Sequence, residues 1–328
     1  MRNGENSVNS TEIPSWLSQA MTDERTTDIC LNGTGYAFAD RGEGLQLLQG
    51  SMEKLWNEDE MRSWVLAQVS AAGKTWDARY PFIDATLPSG HRLHVAFPPL
   101  ARQGILVSLR RLPRFSSDHD PAQCAAARRA RWQGSPLYEK LAHGVRSGES
   151  LLISGATGAG KTTLASDLLE EISPEERILA LEDTPELAPV HPHFISLTSR
   201  APNADGFGEV TLRALLRQAL RMRPDRIILG ECRGAEVMDL LQALNTGHRG
   251  SLATLHANSP RDALRRVELL CLLSSSGAVP LSAIRDLLAV GVQWIAQVKR
   301  IGSQRKITEV WRLDGREGDT LLLRPILE

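Results

Sequence analysis

Between positions 155 and 162 the chain reads GATGAGKT, which fits G-x-x-x-x-G-K-[ST]. Gly155, Gly158 and Gly160 let the backbone turn tightly. Successive N–H groups, those of Ala156, Thr157 and Ala159 included, and the N-terminus of the following helix then face phosphate oxygens. Lys161 reaches β and γ phosphates as a point charge, the Thr162 hydroxyl can ligate Mg²⁺, and Thr163 follows in the same first turn. An apolar run, Leu151 to Ile153, precedes the glycines and a helical pattern follows them. A Gly-rich turn into an ordinary helix is the bland alternative, and it leaves the ordered Lys and Thr unexplained. ATP with Mg²⁺ is the expected ligand pair.

Three further segments carry chemistry. RILALEDTPEL (177–187) places Glu182, Asp183 and Glu186 just past a strand-like run, at the edge where open parallel sheets bind ligands. These carboxylates can equally cap a helix. In RPDRIILGECRGAE (223–236), Glu231 follows a buried-strand run, where a carboxylate can polarise an attacking water beside Mg²⁺. Gly230 stands where many phosphate-loop enzymes have a metal-ligating Asp, so Mg²⁺ would rely on Thr162, phosphate oxygens and waters. NTGHRGSLATLHANSP (245–260) sets His248 and His256 on either side of another strand-like run. His256, placed after the strand, is the better positioned to sense a γ-phosphate.

The elements that must hold these residues follow from periodicity. After residue 136, strand-like runs at 151–154, 178–182, 194–197, 226–230 and 251–255 alternate with helical ones. The clearest helix is TLRALLRQALRM, with Leu212, Leu215, Leu216, Ala219 and Leu220 on one face. Such alternation predicts an α/β fold with a mostly parallel sheet covered by helices. The tail, 292–324, reads as three short strands with turns at Gly302 and Gly315. Residues 27–112 read as a smaller α+β domain: short strands, one helix with Met61, Trp64, Val65 and Val69 in register, and a hairpin turning at Pro88-Ser89-Gly90. The expected division is an N-terminal domain to 112, a linker at 113–135 and a nucleotide-binding domain at 136–328. Arg128, Arg129 and Arg131 in the linker make either a partner patch or a solvated helix face.

Bulk properties set limits. The chain has 328 residues, enough for two domains, and a formal charge of −1 that gives no global attraction to nucleic acid or anionic membrane. Its four cysteines, Cys30, Cys124, Cys232 and Cys271, are far apart and suit a reduced compartment. No run approaches the roughly 20 apolar residues of a membrane span, and the N-terminus lacks the apolar stretch of a signal peptide. A cytoplasmic protein is expected, peripheral to the inner membrane through its partners.

Taken together, the four segments resemble the secretion and pilus-assembly ATPases of type II and type IV secretion systems. Lys161 with Thr162 matches their Walker A box, ALEDTPEL their Asp box, IILGECRG their Walker B box with Gly-Glu, and TGHRGSLATLHANSP their His box. RMRPDRIILGECRGAE and LQALNTGHRGSLATLHANSPRDAL look most like the ATPase of tight-adherence (Flp-type) pilus systems. The resemblance implies a RecA-like P-loop domain, a homo-hexameric ring, ATP bound between two domains and inner-membrane platform proteins as partners. It also implies N-terminal arginines closing on the phosphates. By position these are Arg92 and Arg110 or Arg111, each of which can also merely end a strand. The function implied is ATP hydrolysis driving pilus assembly or secretion. The rivals are a conjugative type IV secretion ATPase, a nucleic-acid translocase and a non-hydrolysing scaffold. Balanced charge and 5% aromatic content weigh against direct nucleic-acid binding.

Overall fold

The computed structural model describes residues 13–48, 56–112, 130–132, 134–202, 206–275, 278–302 and 304–327. The expected linker, Arg128 and Arg129 with it, therefore lies mostly outside the described residues. Two units form, Met1–Pro113 and Arg114–Glu328.

The first unit holds helix α1 (Ser15–Thr22), strands β1 (Asp28–Asn32), β2 (Tyr36–Asp40) and β3 (Leu45–Leu47), helix α2 (Glu58–Ala71), and strands β4 (Phe82–Thr86), β5 (His91–Ala96) and β6 (Leu106–Arg111). Its sheet has the order β3-β2-β1-β6-β5-β4, antiparallel throughout. Period-two alternation puts Ile29, Leu31, Leu93, Val95, Val107 and Leu109 on one face, against the α2 stripe Met61, Trp64, Val65 and Val69. Asn57 starts α2 by accepting the Glu60 N–H at 2.8 Å, and Glu58, Asp59 and Glu60 complement the helix dipole.

In the second unit come α3 (Pro136–Arg146), β7 (Leu151–Ser154), α4 (Lys161–Leu169), β8 (Ile178–Glu182), β9 (Phe194–Thr198), α5 (Leu212–Ala219), β10 (Arg226–Leu229), α6 (Glu236–Asn245), β11 (Leu252–Leu255), α7 (Pro260–Ser274) and α8 (Leu281–Gly291). Strands β12 (Trp294–Ile301), β13 (Gln304–Glu317) and β14 (Thr320–Ile326) complete it. The eight strands run in the order β14-β13-β12-β7-β11-β10-β8-β9. From β12 to β9 every pairing is parallel, and β13 and β14 add antiparallel.

Strands β7, β8, β10 and β11 are buried at every position because both faces are covered. Leu151, Ile153, Ala180 and Ile228 face a core under α3 and α4. Leu152, Leu179, Leu181, Ile227 and Leu229 face the other, under α5 to α8. Each fully buried Leu or Ile contributes about 1.5–3 kcal/mol, so the sheet is the rigid platform on which the connecting loops sit.

The tail joins the main sheet: β12 pairs in parallel with β7, the strand that leads into the phosphate loop. One reading of it changes. Gly315 makes no turn: it sits inside β13 at a register shift opposite β14, and the chain reverses at Gly318-Asp319. Beyond Gln297, which pairs with Ser154, β12 continues four residues to Ile301 and returns as β13. This hairpin overhangs the sheet edge beside the phosphate loop.

Candidate active site

Neighbouring strands β7, β11, β10 and β8 end at one edge, so the segments that follow them meet there in the same order. The phosphate loop follows Ser154, His256 follows Leu255, Gly230 and Glu231 follow Leu229, and Asp183 to Glu186 follow Glu182.

Within the loop, Gly155 approaches the β12 backbone so closely that a Cβ would lie 2.4 Å from the Val298 carbonyl oxygen. Gly160 opens α4 at φ 101°, a left-handed conformation, and α4 has no side-chain cap. Its first N–H groups are thus offered to an anion. Ala159 is buried beneath the turn, whereas Ala156, Thr157 and Gly158 face outward.

Lys161 Nζ donates to the Gly155 and Ala156 carbonyls, at 3.0 Å each, and lies 3.3 Å from His256 Nδ1. His256 Nε2 is 2.8 Å from Glu231 Oε1. Burial and the Lys161 charge push the His256 pKa down. A neutral ring protonated on Nε2 satisfies both contacts, donating to Glu231 and accepting from Lys161. Glu231 Oε2 accepts from Arg233 at 2.6 Å, and Arg233 also lies 3.4 Å from Asp183 Oδ2. Burial alone would raise the Glu231 carboxyl, but Arg233, His256 and Lys161 together hold it below the usual carboxylate range. Burial in turn lowers the Lys161 ammonium, against the pull of Glu231 and Glu186.

Glu186 accepts the Thr162 hydroxyl at 3.3 Å, bringing together a hydroxyl and a carboxylate suited to a hard cation. Thr163 lies beside them, half-buried, in the same helical turn.

Other expected site residues sit differently. Glu182 is buried and spends its carboxylate on the N–H groups of Glu186 and Leu187, at 2.9 Å each, and on the Ser196 hydroxyl at 3.0 Å. Burial raises its pKa despite those donors. Its work is to shape the turn that presents Glu186, in the manner of a capping carboxylate. Asp183 accepts from Ser199 at 2.7 Å and lies one step outward, beside Arg233. His248 precedes β11, so within this chain it is at the sheet edge opposite the phosphate loop. In the N-terminal unit, Arg110 pairs with Asp28 at 2.8 Å and Arg92 lies 3.7 Å from Asp84. Arg111 donates to the backbone carbonyls of Met21, Asp23 and Thr26, tying β6 to the α1–β1 connection.

Arg233 was missed in the sequence reading, although its signal was there: a cation two residues after the carboxylate expected to activate water. Gly230 also has a packing reason. A Cβ there would lie 2.8 Å from Glu182 Cγ and 3.3 Å from the Leu181 carbonyl oxygen. Gly230→Ala is therefore expected to destabilise the unit by about 1–3 kcal/mol, the cost of overpacking. Thermal unfolding should report this as a melting point several degrees lower, with the α-helical circular dichroism retained.

The type II/IV secretion system protein family matches residues 52–307. The chain belongs to that family. A Mycobacterium tuberculosis protein named for conjugal transfer is 40% identical over 92% of this chain and 85% of its own. The type IV secretion system protein PtlH of Bordetella pertussis is 31% identical over 92% of this chain and 93% of its own. The conjugal transfer protein TrbB of Rhizobium radiobacter is 32% identical over 91% and 87%. These names correct the expected likeness to the tight-adherence pilus ATPase: the resemblance lies with conjugal-transfer and type IV secretion members. The pilus retraction motor PilT, crystallised with ADP, shares the fold at a TM-score of 0.61 and 21% identity, covering 90% of this chain and 82% of that one. Among the described residues no helix is long and apolar enough to cross a membrane.

Proposed function

We propose that the chain is the ATPase of a type IV secretion or conjugation system, working as a homo-hexameric ring on the cytoplasmic side of inner-membrane partners. The reading is carried by Glu231, held between His256 and Arg233 beside the Lys161 loop, in a chain of this family. The names of its relatives, for conjugal transfer and type IV secretion, support this choice of system.

The reaction is in-line attack of water on the γ-phosphate of ATP, a step dominated by positioning and charge neutralisation. Loop N–H groups and Lys161 grip the phosphates. On binding them, Lys161 exchanges two backbone carbonyls for phosphate oxygens. Glu231, kept ionised, orients the water and accepts its proton, and His256 reports on Lys161 through one nitrogen and on Glu231 through the other. Thr162, with Glu186 behind it, would hold Mg²⁺, which neutralises phosphate charge when bound.

Purified chain should release phosphate from ATP in a Mg²⁺-dependent way, and light scattering should show its 36.0 kDa protomer assembling when a slowly hydrolysed analogue is added. A strict monomer with analogue bound would contradict the ring. In cells, loss of the protein should stop DNA or protein transfer. Loss of surface pili with transfer intact would restore the pilus-assembly reading.

A further inference from the structure

Three neighbouring strands that reach the active edge, β12, β7 and β11, each interrupt a buried apolar run with one hydroxyl or amide side chain. Ser154 closes β7, Thr254 sits within β11 and Gln297 within β12, at relative exposures of 0, 2 and 1%. An apolar residue at each place would leave no polar group to satisfy, whereas a buried hydroxyl or amide destabilises the fold unless it is hydrogen-bonded. Gln297 and Leu255 both pair with Ser154, and Thr254 is one residue back. The three therefore form a polar layer across the sheet, at the root of the loops that carry the site.

The partners of this layer are the backbone groups beside Glu231 and His256. Thr254 holds both peptide groups that flank Glu231: its hydroxyl donates to the Gly230 carbonyl at 2.5 Å, and its own carbonyl accepts the Cys232 N–H at 2.7 Å. Gln297 works from the other side. Its amide N–H donates to the Ala257 carbonyl at 3.2 Å, and its amide oxygen accepts from the Ser154 hydroxyl, which also lies 3.1 Å from the Ala296 carbonyl. His256 is thus gripped on both sides, two residues after Thr254 and one before Ala257. Ser154 leads directly into the loop that carries Lys161, so one buried frame spaces Lys161, His256 and Glu231, which stand 3.3 and 2.8 Å apart in sequence of contact.

We propose that Thr254 and Gln297 are positioning residues for ATP hydrolysis, Thr254 fixing where Glu231 stands against the attacking water and Gln297 fixing His256 against the phosphate loop. The proposal rests on the ATPase reading above. Both side chains are buried beneath the loops, so they act through Glu231 and His256 and not by touching nucleotide. Misplacing a reacting group by about 1 Å costs up to about 100-fold in rate.

The test is steady-state phosphate release by the full chain, beside equilibrium binding of a fluorescent ATP analogue. Thr254→Val keeps the branched shape and removes the hydroxyl, and Gln297→Met keeps the unbranched length and removes the amide. Each should lower kcat about 10 to 100-fold and leave analogue affinity unchanged. Thr254→Ser, which retains the hydroxyl, should recover most of the loss. Made on top of Glu231→Gln, either substitution should remove little more, because residues that act through one group are not additive. If Thr254→Val does not fold, Gln297→Met carries the same test. Wild-type kcat in either variant would overturn that residue's role. Losses that multiply in the double variants would overturn the proposal, placing the effect in the fold at large, and so would a loss confined to KM. If the wild-type chain releases no phosphate from ATP, the ATPase reading itself fails and the proposal with it.

Discussion

Glu231→Gln is expected to keep ATP bound and leave it unhydrolysed. The substitution preserves the length of the side chain and one of its two acceptor oxygens, so it keeps one of the contacts that hold Glu231, with His256 at 2.8 Å or with Arg233 at 2.6 Å. It removes the charge and the basic lone pair that would take a proton from water. Loss of a positioned general base costs about 10²–10⁴ in rate, whereas the phosphates are held by Lys161, Thr162 and the loop backbone. Equilibrium binding of a fluorescent ATP analogue should be unchanged while phosphate release falls by that factor. Release at the wild-type rate would move the base elsewhere, and Glu186 would be the next residue to change.

Lys161→Ala should lose both properties. Its ammonium is the cation closest to the loop, satisfied by the Gly155 and Ala156 carbonyls at 3.0 Å. Each hydrogen bond to a charged group is worth about 1.5–3 kcal/mol, so ATP affinity should drop by about 10 to 150-fold and turnover with it. His256 also loses the donor to its Nδ1, which frees the ring to change tautomer and slackens its hold on Glu231. Saturating the variant with ATP should therefore recover little activity. Full recovery at high ATP would limit Lys161 to ground-state binding. The two variants separate roles: turnover alone for Glu231, affinity and turnover for Lys161.

Much of this site was legible because its logic is local. The phosphate loop needs its glycines, Lys161 and Thr162 consecutively, and strands buried on both faces announce themselves as apolar runs, so the edge carrying His256, Glu231 and Glu186 followed from alternation alone. What escaped depended on pairing across distance. Nothing around residue 294 says that β12 will lie against β7, yet that pairing swings the β12–β13 hairpin over the loop and brings Arg305 onto Gly160. Glu182 and Glu186 are both acidic and four residues apart, and only burial tells the fully buried structural one from the half-buried one beside Thr162. His248 and His256 part for a related reason: flanking a strand in sequence puts two histidines at opposite ends of it in space. Gly315 looked like a turn because glycine marks turns and bulges alike.

The close fit between Gly230 and Glu182 also constrains how such a site can change over time. An aspartate at 230, which would offer a metal ligand directly from β10, collides with Glu182 Cγ unless position 182 has first become smaller. Shrinking 182 alone releases the N–H groups of Glu186 and Leu187 and loosens the turn. Each single step is therefore unfavourable, and the exchange is open only to a simultaneous or otherwise compensated pair. Drift at one position is locked by the other, so the Gly-Glu and Asp-Glu versions of this strand end stand as separate solutions divided by a mutational valley.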